Sequence, residues 1–188
     1  MKITFQGNFS FSLKGEKEEL LLLNPQENKN YSDKLILSIF SEQNFQENFQ
    51  KKPVVNWPGE FEFKEITVKS FATRENGLGQ IFRFEDINFG FLGDLKKLIS
   101  QEKMEPLSNT DVLFLPKTND GMSNKDLKKL IEEIDPRIVI LAGEENLFNE
   151  LLKELGASSL ERKESFTISK SKLPSDHTEF IALMQEDI

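Results

Sequence analysis

Short apolar stretches that alternate with polar residues dominate the first half of the chain and predict β-strands. Turn residues such as Pro58-Gly59 and Asn76-Gly77 separate them at short intervals. Leu20–Leu23 is continuously apolar, which is typical of a strand buried on both faces. The predicted strands are Lys2–Gln6, Phe9–Leu13, Leu20–Leu23, Leu35–Ile39, Val54-Val55, Glu60–Phe63, Ile66–Ser70, Gln80–Phe84 and Asn88–Phe91.

The hydrophobic period changes in the second half, where apolar residues recur at helical spacing. A capping box begins a predicted helix over Ser123–Glu133, and a second amphipathic helix over Glu145–Leu155 ends at Gly156. A short helix is predicted over Leu95–Ser100. The strands predicted in this half are Asp111–Leu115 (ended by Pro116), Arg137–Ala142, Phe166–Ser169 and Phe180–Met184.

This order of elements, a meander of strands followed by strand–helix units, predicts an α/β fold of two packed mixed β-sheets flanked by helices. A length of 188 residues fits a single domain over residues 1–188. The two longer helices are expected to bury Leu127, Leu130, Leu151 and Leu155 against a sheet. Seventeen phenylalanines against one tyrosine and one tryptophan predict a core rich in phenylalanine.

The charge and the apolar runs exclude several classes of partner. A net charge of −8 argues against binding nucleic acid, which requires a basic surface. Lys96-Lys97 and Lys128-Lys129 are interpreted as solvated faces of helices. The apolar runs are too short to span a bilayer, and the first residues do not resemble a signal peptide. We therefore expect a soluble, cytoplasmic protein without disulfides, since the chain has no cysteine.

Common catalytic motifs are missing from the sequence. It has no Gly-x-Ser-x-Gly nucleophile elbow and no glycine-rich loop before a helix to bind phosphate. Asp120-Gly121 is interpreted as a turn, with a place at the rim of a site as the alternative. The single histidine, His177, lies in a predicted turn and is interpreted as a solvated loop residue.

Six segments, taken in order, resemble the small metallo-β-lactamase-fold hydrolases that include the ascorbate-phosphate lactonases. They are MKITFQGNFSF followed by LLLNP, PGEFEFKEITVKSF, FGFLGDLKK, DVLFLPKTNDG, DPRIVILAG and SFTISKSKLP. The resemblance implies an αβ/βα sandwich whose active site lies at one edge, between the two sheets. In that family the edge holds one or two metal ions, usually zinc, which activate a water molecule for hydrolysis.

The family's metal ligands are a His-x-His-x-Asp-His cluster, further histidines and the aspartate of Leu-Gly-Asp. This chain has no histidine at any of these places, and only the aspartate remains. We therefore expect a vestigial site without zinc, because zinc prefers nitrogen and sulfur ligands. The vestigial-site residues that the resemblance implies are Asn8, Asn24, Glu42, Arg74, Asp94 and Gly143.

Two functions remain open from the sequence. The favoured one is a pseudoenzyme that binds an unknown small molecule or protein, with a homo-oligomer possible and no cofactor expected. The alternative is a metal-dependent hydrolase of a lactone or phosphate ester that uses Asp94 with atypical ligands. For the favoured function we expect Phe40 or Phe45 to fill the emptied metal site. The candidate partner of the Asp94 carboxylate is Arg74; if the two form a buried ion pair, Arg74→Ala would cost a few kcal/mol. The alternative is that Arg74 points into solvent and backbone amides cap Asp94.

Overall fold

Two mixed β-sheets form the body of the protein. The computed structural model describes residues 1–26, 31, 34–43, 53–143, 146–157 and 160–185. Within these ranges a six-stranded sheet has the order β13 (Ser165–Thr167), β1 (Lys2–Gly7), β2 (Ser10–Lys14), β3 (Leu20–Leu23), β4 (Leu35–Ile39) and β5 (Val54–Val55). An eight-stranded sheet has the order β12 (Arg162–Lys163), β14 (Glu179–Leu183), β11 (Ile138–Gly143), β10 (Val112–Lys117), β9 (Ile87–Phe91), β8 (Gly77–Phe84), β7 (Ile66–Arg74) and β6 (Gly59–Phe63).

Strand directions bring many carboxyl ends to one edge. β3 and β4 are parallel, as are β9, β10, β11 and β14. β1 is antiparallel to β2, and β2 to β3, so that β1 runs with β3. A parallel bridge between Phe5 and Gln185, just after β14, aligns the two sheets. The segments that follow β1, β3, β4, β9, β10, β11 and β14 therefore share one edge, which we call the carboxyl edge.

The α-helices in the described ranges lie against the outer face of the eight-stranded sheet. They are α1 (Gln101–Met104), α2 (Asn124–Ile134) and α3 (Asn146–Glu154). Ser123 caps α2 as the capping box predicted, because its hydroxyl accepts a hydrogen bond from the Asp126 amide. α2 buries Leu127 and Leu130 as predicted, and α3 buries Leu151, whereas Leu155 is only partly buried.

Two local predictions were wrong, and one short strand was missed. Residues 95–100 are not helical, and the Leu95 carbonyl accepts a hydrogen bond from Met122 instead of from its own next turn. Strand β10 continues through Pro116 to Lys117. This is tolerated because the pairing with β9 ends at Phe114, so fewer ladder hydrogen bonds are needed there. β12, only two residues long, was not predicted from the sequence.

Two apolar layers hold the sheets and helices together. One lies between the sheets and includes Phe11, Phe82, Phe89, Phe91 and Phe114, all at most 1% exposed. The other joins the eight-stranded sheet to the helices. Val112 and Phe114 face the first layer, while Leu113 and Leu115 face the second, as alternation along a strand requires. The phenylalanine-rich core predicted from composition is thus confirmed. Among the described helices, none has the length and apolar character needed to cross a bilayer.

Candidate functional site

The loop after β4 folds back onto the turn after β3 at the carboxyl edge. The Ser41 amide donates to Asn24 Oδ1 at 2.8 Å, and Asn24 Nδ2 donates to Ser41 Oγ at 2.8 Å. These two reciprocal hydrogen bonds join the ends of two neighbouring strands. Asn24 has φ +44°, a left-handed conformation that asparagine tolerates better than most residues.

The same loop also contacts the eight-stranded sheet. The Leu78 amide donates to the Ser41 carbonyl at 2.7 Å, and Gln80 Nε2 donates to the Phe40 carbonyl at 2.6 Å. Gly93, after β9, has φ +58°, and a Cβ there would overlap the Ser41 side chain. Ser41 therefore occupies the space beside Gly93. Phe40 is 5% exposed, and Phe45, the other residue expected to fill the site, lies outside the described residues.

A lysine neutralises the carboxylate of Asp94. Lys96 Nζ lies 2.6 Å from Asp94 Oδ2 and 2.9 Å from Asp120 Oδ2. The hydrogen bond that Lys96 donates to Asp94, followed by the one it donates to Asp120, raises the pKa of Lys96 above its usual value. The hydrogen bond from Lys96 in turn lowers the pKa of Asp120. One ammonium group thus bridges two carboxylates on the segments that follow β9 and β10.

The predicted ion pair between Arg74 and Asp94 is not formed. Arg74 ends β7 and its Nη2 lies 2.8 Å from Oε1 of Glu42 in the loop after β4. No Arg74–Asp94 pair occurs within 4.0 Å in the described part of the chain. Arg74 turns towards the loop after β4, and Asp94 pairs instead with Lys96, two residues further along the chain. Both partners of the Arg74–Glu42 pair are about half exposed, at 46% and 48%. An exposed pair contributes less than about 1 kcal/mol, so the expected large cost of Arg74→Ala no longer holds.

A pocket of about 410 Å³ occupies another part of the carboxyl edge. It lies where the β1–β2 turn meets the ends of β10, β11 and β14. Asn8 and Gly143 line this pocket together with Lys117 and Arg162. The six predicted vestigial-site residues therefore divide into two groups: Asn24, Glu42, Arg74 and Asp94 lie around the loop after β4, and Asn8 and Gly143 lie at the pocket.

His177 lies away from both groups. It precedes β14, and the neighbouring Thr178 hydroxyl donates to the carbonyl of Pro136, which precedes β11. The histidine is therefore at the edge where these strands begin, opposite the carboxyl edge. Its side chain is 65% exposed and contacts Asp176. The interpretation of His177 as a solvated loop residue is confirmed.

Comparison with known families accounts for this arrangement. Residues 2–141, which are most of the chain, match the model of the β-lactamase superfamily domain. The chain belongs to the β-lactamase superfamily. A search of curated protein sequences finds no match.

Solved structures show that this member has the metallo-β-lactamase fold. A proposed zinc-dependent hydrolase of the metallo-β-lactamase superfamily from Thermotoga maritima is 20% identical, with a TM-score of 0.75 over 98% of this chain and 99% of that one. The metallo-β-lactamase fold protein YhfI from Bacillus subtilis is 10% identical, with a TM-score of 0.62 over 96% and 95%. A proposed metal-dependent hydrolase from Parabacteroides distasonis is 14% identical, with a TM-score of 0.61 over 82% and 89%. At these identities the likeness concerns the fold alone.

The donors in the described residues of this superfamily member do not fit a zinc ion. In the described ranges, no three His, Cys, Asp or Glu side chains are grouped so that they could hold a metal ion. Asp94 is paired with the Lys96 ammonium, which also contacts Asp120, and the loop after β4 offers the amide of Asn24 and the hydroxyl of Ser41, whereas zinc prefers imidazole, thiolate and carboxylate ligands. The zinc chemistry of the hydrolase family therefore has no set of ligands in the described part of this chain.

Sequence reasoning missed several residues at this edge. Lys96 was assigned to a helix face, although its position two residues after Asp94 was an available signal. Ser41 and Gln80 gave no signal, because their contacts join strands far apart in the chain. Arg162 gave none either, because its strand is too short to produce a pattern. Asp120, left open as a rim residue, does lie beside Lys96.

The Lys96–Asp120 contact can be tested by titration. In Lys96→Met, the pKa of Asp120 is expected to rise from its lowered value towards the ordinary 3.8, because the donor that stabilises the carboxylate is lost. The pKa of Asp120 is lower in the folded protein than in the unfolded chain, so the contact stabilises the fold at pH values above the unfolded pKa. This stabilisation is lost as the pH falls through the folded pKa. Carboxyl NMR shifts measure this change. Lys97→Met, an exposed neighbour, is the control, and an Asp120 pKa that is equal in both variants would contradict the contact.

Proposed function

We propose that this β-lactamase-superfamily protein is a pseudoenzyme: it binds a small molecule or protein at its carboxyl edge without zinc-dependent hydrolysis. The observation that carries the proposal is the Lys96 ammonium between Asp94 and Asp120. A cation supplied by the chain already neutralises the one carboxylate that the family resemblance assigns to metal binding. A metal ion in contact with Asp94 would have to displace or repel that ammonium group.

The contacts of the loop after β4 support the same function. Ser41 and Asn24 satisfy each other's side chains, and Ser41 packs where Gly93 leaves room. Neither side chain is a strong ligand for zinc. In its described part, residues 40–43, the loop is held by these hydrogen bonds and by the Glu42–Arg74 pair, all supplied by groups of the chain itself.

A metal-dependent hydrolase remains the second candidate, and one contact favours it. Asp94 and Asp120 approach a single nitrogen to 2.6 and 2.9 Å, so two carboxylates already converge on one point. If Lys96 moved aside, this pair could contribute oxygen ligands to a hard cation such as Mg²⁺. The proposed hydrolase activities of the Thermotoga and Parabacteroides proteins are in keeping with this candidate.

Metal analysis of the purified protein distinguishes the two candidates. We expect far less than one equivalent of magnesium, zinc, manganese or iron per chain, and no gain after incubation with each ion and desalting. The same measurement on Asp94→Asn is expected to give an unchanged result. Glu132→Gln, an exposed acid on α2, is the matched control for the change in charge. The pseudoenzyme proposal would be refuted if the unchanged protein held near-stoichiometric metal that was lost in the Asp94→Asn variant and kept in the Glu132→Gln variant. That result would establish the metal site of the hydrolase candidate.

A further inference from the structure

We propose that the 410 Å³ pocket at the carboxyl edge binds a small anionic molecule, with its carboxylate or phosphate on Lys117 and Arg162 and its apolar part on Phe9 and Met184. This inference rests on the proposed function and specifies its ligand class. The volume lies within the range of about 300–1,000 Å³ that is usual for small-molecule sites. The position, outside the carboxyl ends of parallel strands, is where open α/β sheets usually bind ligands.

The charges of the pocket are of one sign. Its described lining contains Lys117 and Arg162 and no aspartate or glutamate. Glu144 and Glu145, which follow Gly143, lie outside the described residues. Within the described ranges neither cation has an acidic group within 4.0 Å. In a chain with a net charge of −8, two such cations in one concave site favour an anion as the missing partner.

Both cations are held in place and keep donors free. Lys117 Nζ donates to Asn124 Oδ1, and two of its three hydrogens have no acceptor in the described residues. Arg162 uses Nη2 for the carbonyls of Gly143 and Leu183, which leaves Nε and Nη1 without acceptors there. A guanidinium fixed at one nitrogen offers its remaining donors in a set direction, suited to a carboxylate or phosphate.

Burial of Lys117 agrees with this interpretation. Desolvation lowers the pKa of its ammonium, while Glu150 and Glu154 act in the opposite direction through longer-range attraction. A partly buried cation without a close counter-ion in the described residues destabilises the empty site. A bound anion would remove that cost, so the empty pocket has a charge that a ligand would neutralise.

The backbone around the pocket requires glycine at two positions. Gly143 has φ +139°, and a Cβ there would lie 2.5 Å from the Lys117 carbonyl oxygen. Gly7 has φ +86°, and a Cβ there would lie 2.8 Å from the Gln185 side chain. These close approaches bring the ends of β1, β10, β11 and β14 together and shape the concave surface.

A larger cavity among the described residues provides the contrast. It measures about 620 Å³ and lies at the opposite edge. Its cations are already paired, with Lys17 at 3.8 Å from Glu65, Lys64 at 3.3 Å from Glu19 and Lys170 at 2.9 Å from Asp111. By volume alone this cavity would be the better candidate for a ligand site. The unpaired cations in the described lining make the 410 Å³ pocket the better candidate for an anion.

Titration with phenylphosphonate tests the proposal, since its C–P bond resists hydrolysis. EDTA-treated full-length protein is titrated at pH 7.5 and followed by amide NMR shifts and calorimetry. We expect saturable shifts at Asn8, Lys117 and Gly143, weaker binding of inorganic phosphate at the same amides, and no binding of benzyl alcohol. Lys117→Gln and Arg162→Gln should each raise Kd about tenfold or more, because each removes a charge-assisted contact.

A double variant at the other edge, Lys17→Gln with Lys64→Gln, removes two positive charges and should leave Kd unchanged. Thermal unfolding checks that each variant is folded. If Arg162→Gln does not fold, the Kd of Lys117→Gln alone tests the role of the cations. If no saturable shift appears, whether zinc is added or not, this inference is overturned and the proposed function stays intact. Binding that appears only with added zinc and disappears in Asp94→Asn would overturn the proposed function as well. Equal affinity for benzyl alcohol would overturn the role of the two cations.

Discussion

Phe114→Ala is expected to lower the free energy of unfolding by about 4 kcal/mol, the largest effect of any single change proposed for this protein. Phe114 lies in the central strand β10 and is 1% exposed. Its ring centre lies 4.8 Å from that of Phe11, 5.9 Å from Phe89 and 6.2 Å from Phe91. Truncation removes the buried ring and leaves a cavity between two sheets that cannot close independently.

Chemical denaturation monitored by circular dichroism measures this cost. Phe63→Ala is the matched control, because Phe63 lies on the edge strand β6 and is only partly buried. It should lose at most about half as much stability. If Phe114→Ala does not fold, Phe114→Leu, with an expected loss of about 1–2 kcal/mol, keeps the test available. Equal losses for Phe114→Ala and Phe63→Ala would show that the layer between the sheets is not the principal core.

Asp111→Ala is expected to cost about 2 kcal/mol, the second largest effect. The Asp111 side chain is 9% exposed and precedes β10. Its carboxylate accepts from the Asn88 amide at 2.9 Å and from Lys170 at 2.9 Å, with Arg137 Nε at 3.5 Å. Removal leaves the Asn88 amide without this acceptor. The loss is limited because Lys170 and Arg137 are each 50% exposed and water can solvate them.

Two further variants separate charge from hydrogen bonding at this position. Asp111→Asn keeps an acceptor for the Asn88 amide and should cost about half as much as Asp111→Ala. Glu132→Ala, which breaks an exposed pair with Lys128 on α2, is the control and should change stability by less than about 0.5 kcal/mol. A cost for Asp111→Ala no greater than that for Glu132→Ala would mean that the buried carboxylate does not stabilise the fold.

Much of the fold could be predicted from local patterns. Alternation identified most strands to within a few residues, and the capping box at Ser123 located the start of α2. The resemblance to the metallo-β-lactamase fold was confirmed by the family match and by the solved structures. The segment after Asp94 was not predicted correctly. Its apolar residues have helical spacing, but they pack as an irregular segment against the helical layer.

The candidate site was less predictable than the fold. The sequence identified Asp94 and the absence of histidines at the expected ligand positions, because these are facts of residue identity. It assigned the wrong cation to Asp94. Arg74 had the suitable chemistry, but the direction of a side chain at the end of a strand depends on the loop that packs against it, and that loop offers Glu42.

The amino-acid sequence by itself determined most of the secondary structure, the family and the lack of imidazole ligands for zinc. Secondary structure depends on residue type and on spacing of a few residues, the family resemblance on six segments in order along the chain, and the lack of imidazole on residue identity alone. The tertiary structure alone decided that Ser41 meets Asn24 and Gly93, and that Lys117 and Arg162 share a pocket. Lys117 and Arg162 are far apart in sequence and meet because β10 and β14 flank β11 in the sheet, with β12 pairing beside β14. Strand order is set by packing of the whole core, and no local pattern records it.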